Sequence, residues 1–186
     1  MTLYRCFAWN SSADAGEPDG PLWFPRPFQG EGRHDNPERY GCLYLADRPL
    51  SAVVEQLARF RTQRLTAALL RRRGLPLGLA TLTLDARAEV VDLDDPVVLE
   101  RERLRPSWIA TRDRAVTRPQ ARTLYERYPR VAGLRWWSTY ESQWMNVTIF
   151  DRAQRRLRLQ GVRPLGVDDA AVREAAEFFA MRIFPN

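Results

Sequence analysis

Four side chains, Arg33, Tyr44, Glu55 and Ser138, could do chemistry, and hydrophobic periodicity alone would not have selected them. Arg33 lies in Gly30-Glu31-Gly32-Arg33-His34-Asp35-Asn36-Pro37. Glycines ahead of it let the backbone come close to a ligand. A guanidinium there can hold a diphosphate through bidentate hydrogen bonds. The plainer alternative is a surface arginine in a polar turn. Tyr44, in Gly41-Cys42-Leu43-Tyr44-Leu45-Ala46, offers a ring that can stack on a planar heterocycle. A core tyrosine with its hydroxyl satisfied is the commoner fate. Glu55 falls off the apolar stripe of its helix, and a carboxylate near a helix N-terminus is electrostatically comfortable. That suits an exposed residue, and equally one facing a cleft, where it would stabilise positive charge on a sugar ring as a glycosidic bond breaks. Ser138 ends Leu134-Arg135-Trp136-Trp137-Ser138, and strand ends that meet loops often line sites. The chain has one histidine, His34, and no Ser-His-Asp pattern surrounds the serine. Ser138 therefore reads as a hydrogen-bonding group and not a nucleophile, with Ser142 as its rival.

These groups need elements to position them. Apolar patterning predicts strands over 3–9, 42–46, 77–84, 89–93, 133–138 and 144–150, with a weaker one over 155–160. In the 42–46 strand, Cys42, Tyr44 and Ala46 share one face and Leu43 and Leu45 the other. Asp47 is placed to cap the next helix, Pro49 suits its first turn, and Leu50, Val53, Val54 and Leu57 form its stripe. A second helical stretch is expected over 62–73. There Arg71-Arg72-Arg73 would stand beside the negative end of the dipole, with Gly74 as C-cap and Pro76 as breaker. Residues 95–104 and 118–128 read as helices, the second ended before Pro129, and 106–116 as irregular. Asp168 is expected to cap a final helix over 168–183, striped by Val172, Ala175, Ala176 and Phe179 and stopped by Pro185. Residues 10–40 are rich in Gly, Pro, Asp and Ser, and loops that long are usually functional or mobile. The pattern describes one mixed α and β domain over 1–186, with no internal repeat.

The 186 residues carry a net charge of +6 and a pI near 10, a balance that could suggest nucleic acid. Yet all 29 basic residues are arginine, scattered along the chain. That pattern points to GC-rich codon usage more than to phosphate contacts. No helix-turn-helix or RNP-type aromatic motif is present, so direct nucleic-acid binding is not expected. Nothing approaches a membrane span, and no signal peptide is seen. The two cysteines, Cys6 and Cys42, fall in predicted strands without metal-ligand spacing. The expectation is a cytoplasmic protein without metal or disulfide.

Tyr4-Arg5, then Gly32-Arg33, then Gly41-Cys42-Leu43-Tyr44-Leu45-Ala46, then Ala52-Val53-Val54-Glu55 resemble, in this order, the RES-domain family, named for its Arg, Glu and Ser. The later blocks, Gly133 to Ser138 and Asn146-Val147-Thr148-Ile149-Phe150-Asp151, extend the resemblance to about residues 3–160. The resemblance implies an α+β fold akin to ADP-ribosyltransferases: a split, twisted mixed sheet flanked by helices, with NAD⁺ in a cleft. It implies cleavage of NAD⁺ at the nicotinamide–ribose bond by water or phosphate, so that NAD⁺ is a substrate and no cofactor is required. It also implies a toxin with a cognate antitoxin that carries a helix-turn-helix region. Carried onto this chain, Arg33 would bind phosphates, Tyr44 would stack near nicotinamide, and Glu55 would stabilise an oxocarbenium-like transition state. Ser138 would hold the ribose or nicotinamide side, and Arg5 would be a second phosphate ligand.

The chain departs from the family at one place. Members usually carry a second glycine before the arginine and a tryptophan after it, whereas Glu31-Gly32-Arg33-His34 stands here. His34 then becomes either a packing substitute or a direct ligand contact. Three other readings compete with NAD⁺ cleavage. One is transfer of ADP-ribose to a macromolecule, another a basic nucleic-acid module whose binding falls steeply with salt, and the third an inactive interaction protein.

Overall fold

The computed structural model describes residues 1–184. Its strands are β1 (Thr2–Ala8), β2 (Cys42–Ala46), β3 (Arg71–Arg72), β4 (Leu75–Leu84), β5 (Val90–Asp92), β6 (Gly133–Trp137), β7 (Met145–Phe150) and β8 (Leu157–Pro164). Its helices are α1 (Pro49–Leu57), α2 (Pro96–Glu102), α3 (Pro106–Ala110), α4 (Arg114–Arg127) and α5 (Ala170–Phe178). The fold is α+β, and two compact units can be distinguished. The first comprises Met1, Phe24–Leu45 and Leu84–Arg158; the second comprises Thr2–Trp23, Ala46–Thr83 and Leu159–Asn186.

In the first unit the strands run in the order β2-β7-β6-β5. β6 and β7 are antiparallel, from Gly133↔Ile149 to Trp137↔Met145, whereas β5 pairs with β6 in parallel, Val90 opposite Gly133. A parallel pair needs a long crossover, and α2, α3 and α4 fill it. Gly133 has a packing reason: a Cβ there would run into the Thr148 carbonyl of the neighbouring strand. The core gathers Tyr40, Cys42, Leu93, Leu99, Ile109, Leu124, Leu134, Trp136 and Phe150. Asp95 caps α2 by accepting from the Val97 amide at 2.9 Å, with Pro96 at the first helical position. Asp113 caps α4 by accepting from Ala115 at 2.8 Å. That cap starts α4 one turn ahead of the expected residue 118 and leaves Pro119 inside the helix. The stretch expected to be irregular thus contains α3 and the head of α4.

In the second unit β1 pairs antiparallel with β4 from Thr2↔Thr83 to Ala8↔Leu77, and β4 also pairs with β3 and β8. α1 packs on α5 and β1, burying Ala52, Val53, Val54 and Leu57. Pro49 opens α1 as expected. Asp47 does not cap it, because the N-cap position falls on Arg48 and Asp47 pairs with that arginine at 3.0 Å. Asp169, one residue later than expected, caps α5, and Pro185 lies outside the described residues.

The expected helix over 62–73 does not form. A short 3₁₀ turn (Ala67–Leu70) leads into a β3–β4 hairpin, Arg72 opposite Leu75. Arg73 and Gly74, both at positive φ (49° and 80°), make its two-residue loop. A left-handed pair fits the twist of flanking strands. Gly74 serves the hairpin with the same backbone freedom that suggested a helix cap.

Cys6 and Cys42 are both buried free thiols, and burial pushes Cys6 up to about 12. Among the described residues no helix is long and apolar enough to cross a membrane, and no cluster of His, Cys, Asp or Glu could hold a metal ion.

Candidate functional site

The segment 30–36 of the first unit is organised by one carboxylate. Asp35 Oδ2 accepts from the Gly30 amide at 2.9 Å and the Gly32 amide at 2.6 Å. Its Oδ1 accepts from the Tyr44 hydroxyl at 2.7 Å and from Cys42 Sγ at 3.4 Å. Cys42 and Tyr44 reach the same acceptor because alternate residues of β2 share a face. The Tyr44 hydroxyl also accepts from the His34 amide at 2.9 Å. Burial, then the neighbouring Cys42 and Asp35, hold this phenol well above its ordinary pKa, so it stays protonated and donating.

Gly32 stands hard against this arrangement. A Cβ at Gly32 would overlap the Tyr44 hydroxyl and the Asp35 carboxylate. Gly32→Ala is therefore expected to lose about 1–3 kcal/mol, the range of an overpacked interior, read as a lower denaturant midpoint at unchanged m-value.

Arg33 is only 5% exposed. Its Nη1 donates to the Ile109 carbonyl at 2.6 Å and the Thr111 carbonyl at 2.7 Å, and the guanidinium lies 4.5 Å from the centre of the Trp136 ring. The Thr117 hydroxyl donates to the Arg33 carbonyl at 2.6 Å. Two α4 arginines hold the carbonyls just before it: Arg114 Nε donates to Glu31 and Arg118 Nε to Gly32. The loop is thus tied to β2 by its carboxylate and to α4 by its carbonyls.

His34 is buried, with Nδ1 2.8 Å from Thr148 Oγ1 on β7. The Trp136 indole N–H donates to the same oxygen at 3.1 Å. With one hydrogen and two lone pairs, the Thr148 hydroxyl serves both rings at once. The His34 ring meets Trp136 edge-on at 5.4 Å and Tyr44 nearly parallel at 6.5 Å.

Burial, and after it the Arg33 and Arg114 charges, push His34 well below its ordinary value of 6.5. The neutral ring is the folded form. The unfolded chain takes up a proton near pH 6.5 while the folded chain does not, so stability falls with pH below that point. The slope is at most about 1.4 kcal/mol per pH unit until the folded-state pKa is reached. Denaturation at pH 7.5 and 5.5 should show this drop in the wild type and a flatter profile in His34→Gln. Parallel profiles would contradict it.

Ser138 follows β6 and is 2% exposed. Its amide donates to the Trp144 carbonyl at 2.8 Å and its Oγ accepts from the Tyr140 amide at 3.2 Å. Ser142 lies exposed in the following turn, 3.5 Å from Glu141 Oε1. The first unit therefore brings Arg33, His34 and Tyr44 together around Trp136 and holds Ser138 two residues beyond that tryptophan.

Glu55 and Arg5 belong to the second unit. Glu55 is half-buried on α1. Arg5, on β1, donates from Nη1 to the Gly20 carbonyl at 3.2 Å and the Pro21 carbonyl at 2.7 Å, with its guanidinium 4.6 Å from the Phe7 ring centre. Burial lowers it to about 10, so it remains charged at neutral pH.

Sequence reasoning passed over Asp35, Trp136, Thr148 and the α4 arginines. Asp35 alone carried a signal, as an acid among glycines whose amides need an acceptor. The others enter through contacts between segments far apart in the chain, as in Arg118 with Gly32 (86 apart) and His34 with Thr148 (114 apart).

No curated protein matches the sequence. A chain from the crystal structure of the M. tuberculosis MbcT–MbcA toxin–antitoxin complex shares the fold, with a TM-score of 0.63 at 19% identity over 97% of this chain and 89% of that one. Residues 2–169, which carry every candidate residue named above, match the RES domain, and the chain belongs to the RES domain family.

Proposed function

We propose that this protein is the toxin of a toxin–antitoxin pair and that it depletes NAD⁺ in the cytoplasm by cleaving the nicotinamide–ribose bond. The observation that carries the reading is the 30–36 loop of a RES-domain chain, which buries an arginine beside His34, Tyr44 and Trp136. Arg33 takes the diphosphate, Tyr44 and His34 lie by the nicotinamide, and Ser138 hydrogen-bonds the ribose or the amide. Glu55 stabilises the positive charge that develops on the ribose, and Arg5 is a further phosphate contact. The C1′–N bond breaks with its electron pair leaving on neutral nicotinamide. An oxygen of water or phosphate then bonds to C1′ and gives up its proton. The similarity to a chain from a toxin–antitoxin complex supports a protein partner that neutralises the activity; a helix-turn-helix region in that partner is what the family resemblance implies.

The test is nicotinamide release from NAD⁺ by the purified protein, with and without phosphate. Release in both conditions identifies a hydrolase, and release only with phosphate a phosphorylase. Label from NAD⁺ appearing on protein or nucleic acid, without free ADP-ribose or its phosphate, would replace the proposal with macromolecular ADP-ribosylation. No release and no label would overturn it.

A further inference from the structure

A cleft of about 210 Å³ opens in the first unit, away from the 30–36 loop. Three chain segments wall it: the turn between β4 and β5, the link between α4 and β6, and the 3₁₀ turn (Asp151–Arg156) between β7 and β8. Each brings arginine, and together they supply Arg87, Arg130, Arg152 and Arg156. Scattered in the sequence, these four meet only in the fold. The 30–36 loop is tied to the first half of α4, where Arg118 Nε holds the Gly32 carbonyl, whereas the cleft lies beyond the helix's last turn. Ten residues of chain, about 15 Å at the helical rise of about 1.5 Å each, separate Arg118 from the Tyr128 carbonyl that Arg152 holds.

Gathering like charges is unfavourable unless something offsets them, and the protein offsets little. Arg156 pairs with Asp85 at 3.3 Å, and Arg87 donates its backbone amide to the same carboxylate at 2.8 Å. Among the described residues no other carboxylate makes an ion pair or hydrogen bond with any of the four. Asp151, the chain neighbour of Arg152, serves the Gly41 amide and Arg26 instead. Arg130 is exposed and has neither acceptor nor ion pair among the described residues. Arg152 is fixed in place: Nε, Nη1 and Nη2 donate to the Val131, Tyr125 and Tyr128 carbonyls, and its guanidinium lies 4.0 Å from the centre of the Tyr125 ring. A guanidinium has five N–H donors, so two of them remain to be given.

We infer that this cleft is an anion site for a phosphoryl group. A tetrahedral phosphoryl group presents oxygens in several directions at once, which suits guanidinium groups arriving from three segments. A carboxylate offers two oxygens in one plane, which suits a single fork. The group comes either free, as inorganic phosphate, or in the backbone of a nucleic acid. The site stands whether or not the protein cleaves NAD⁺.

The test compares wild type with Arg87→Gln/Arg130→Gln, titrated with inorganic phosphate by calorimetry and with a short single-stranded RNA by fluorescence anisotropy. Arg173→Gln/Arg182→Gln, which removes the same charge from exposed positions of the second unit, is the control. Phosphate is expected to bind the cleft variant at least about tenfold more weakly, the loss of a charge-assisted contact, and the control like wild type. If RNA and not phosphate separates the two variants, the phosphoryl source is the nucleic-acid backbone. The cleft variant is expected to melt no lower than wild type, because two exposed like charges have left the cleft. Arg130→Gln alone, which breaks no bond, repeats the comparison should the double variant fold poorly. Phosphate and RNA affinities that are the same in both variants overturn the inference, and phosphate held at the 30–36 loop would give that result. Any nicotinamide release should be equal in wild type and cleft variant, and its absence from both would remove the cleavage reading while leaving the phosphate result standing.

Discussion

Asp35→Ala is expected to lose about 3–5 kcal/mol of stability, in the range found when one member of a buried polar cluster is removed, and to abolish measurable nicotinamide release. One carboxylate receives two backbone amides, a phenol and a thiol. Removing it leaves two part-buried amides, a phenol and a buried thiol without this acceptor, and marginal folds of about 5–15 kcal/mol feel such a loss strongly. Asp35→Asn separates stability from function. The amide keeps one acceptor oxygen but presents an N–H₂ to donors, so either the glycine amides or Tyr44 must lose their partner. The fold survives while the loop shifts, and a displacement of about 1 Å at a substrate-gripping residue is enough for a hundredfold loss of rate. Chemical denaturation and nicotinamide release on the same preparations check both halves. An Asp35→Asn protein with wild-type rate would show that loop geometry does not govern the reaction.

The second large effect is Glu55→Gln, which keeps shape and removes charge. If Glu55 stabilises the oxocarbenium-like transition state, nicotinamide release should fall by about 10²–10³-fold, the range for losing one preorganised electrostatic group. KM for NAD⁺ should change little, because the lost interaction exists mainly in the transition state. Stability should move by no more than about 1 kcal/mol for this half-buried position. Release at the wild-type rate would remove Glu55 from the chemistry.

Much of the fold was legible where a segment's own residues decide its form. Cys42–Ala46 is an apolar run bounded by Gly41 and Asp47, and it is β2. Pro49 followed by Leu50, Val53, Val54 and Leu57 gives α1, and the apolar runs near 77–84 and 144–150 give β4 and β7. Misreadings arose where one local signal serves two structures. Gly74 at positive φ closes a hairpin as well as it caps a helix. The helix expected to start at Arg118 begins a turn earlier, where Asp113 caps it.

The site was legible as residues and not as an arrangement. Gly32-Arg33, Tyr44 and Glu55 stand out in the sequence, and so does the odd neighbour His34. No local pattern announces that Thr148 sits beside His34 or that Ile109 and Thr111 offer their carbonyls to Arg33.

The stacking of Arg33 on Trp136 also gives the protein a built-in optical reporter. Indole emission responds to charge at its face and to the partner of its N–H, and Trp136 has a guanidinium at one and Thr148 at the other. A ligand that draws Arg33 aside would change the colour and brightness of that one fluorophore. With the other five tryptophans replaced by phenylalanine, occupancy of the loop could be followed in real time without a label or a turnover.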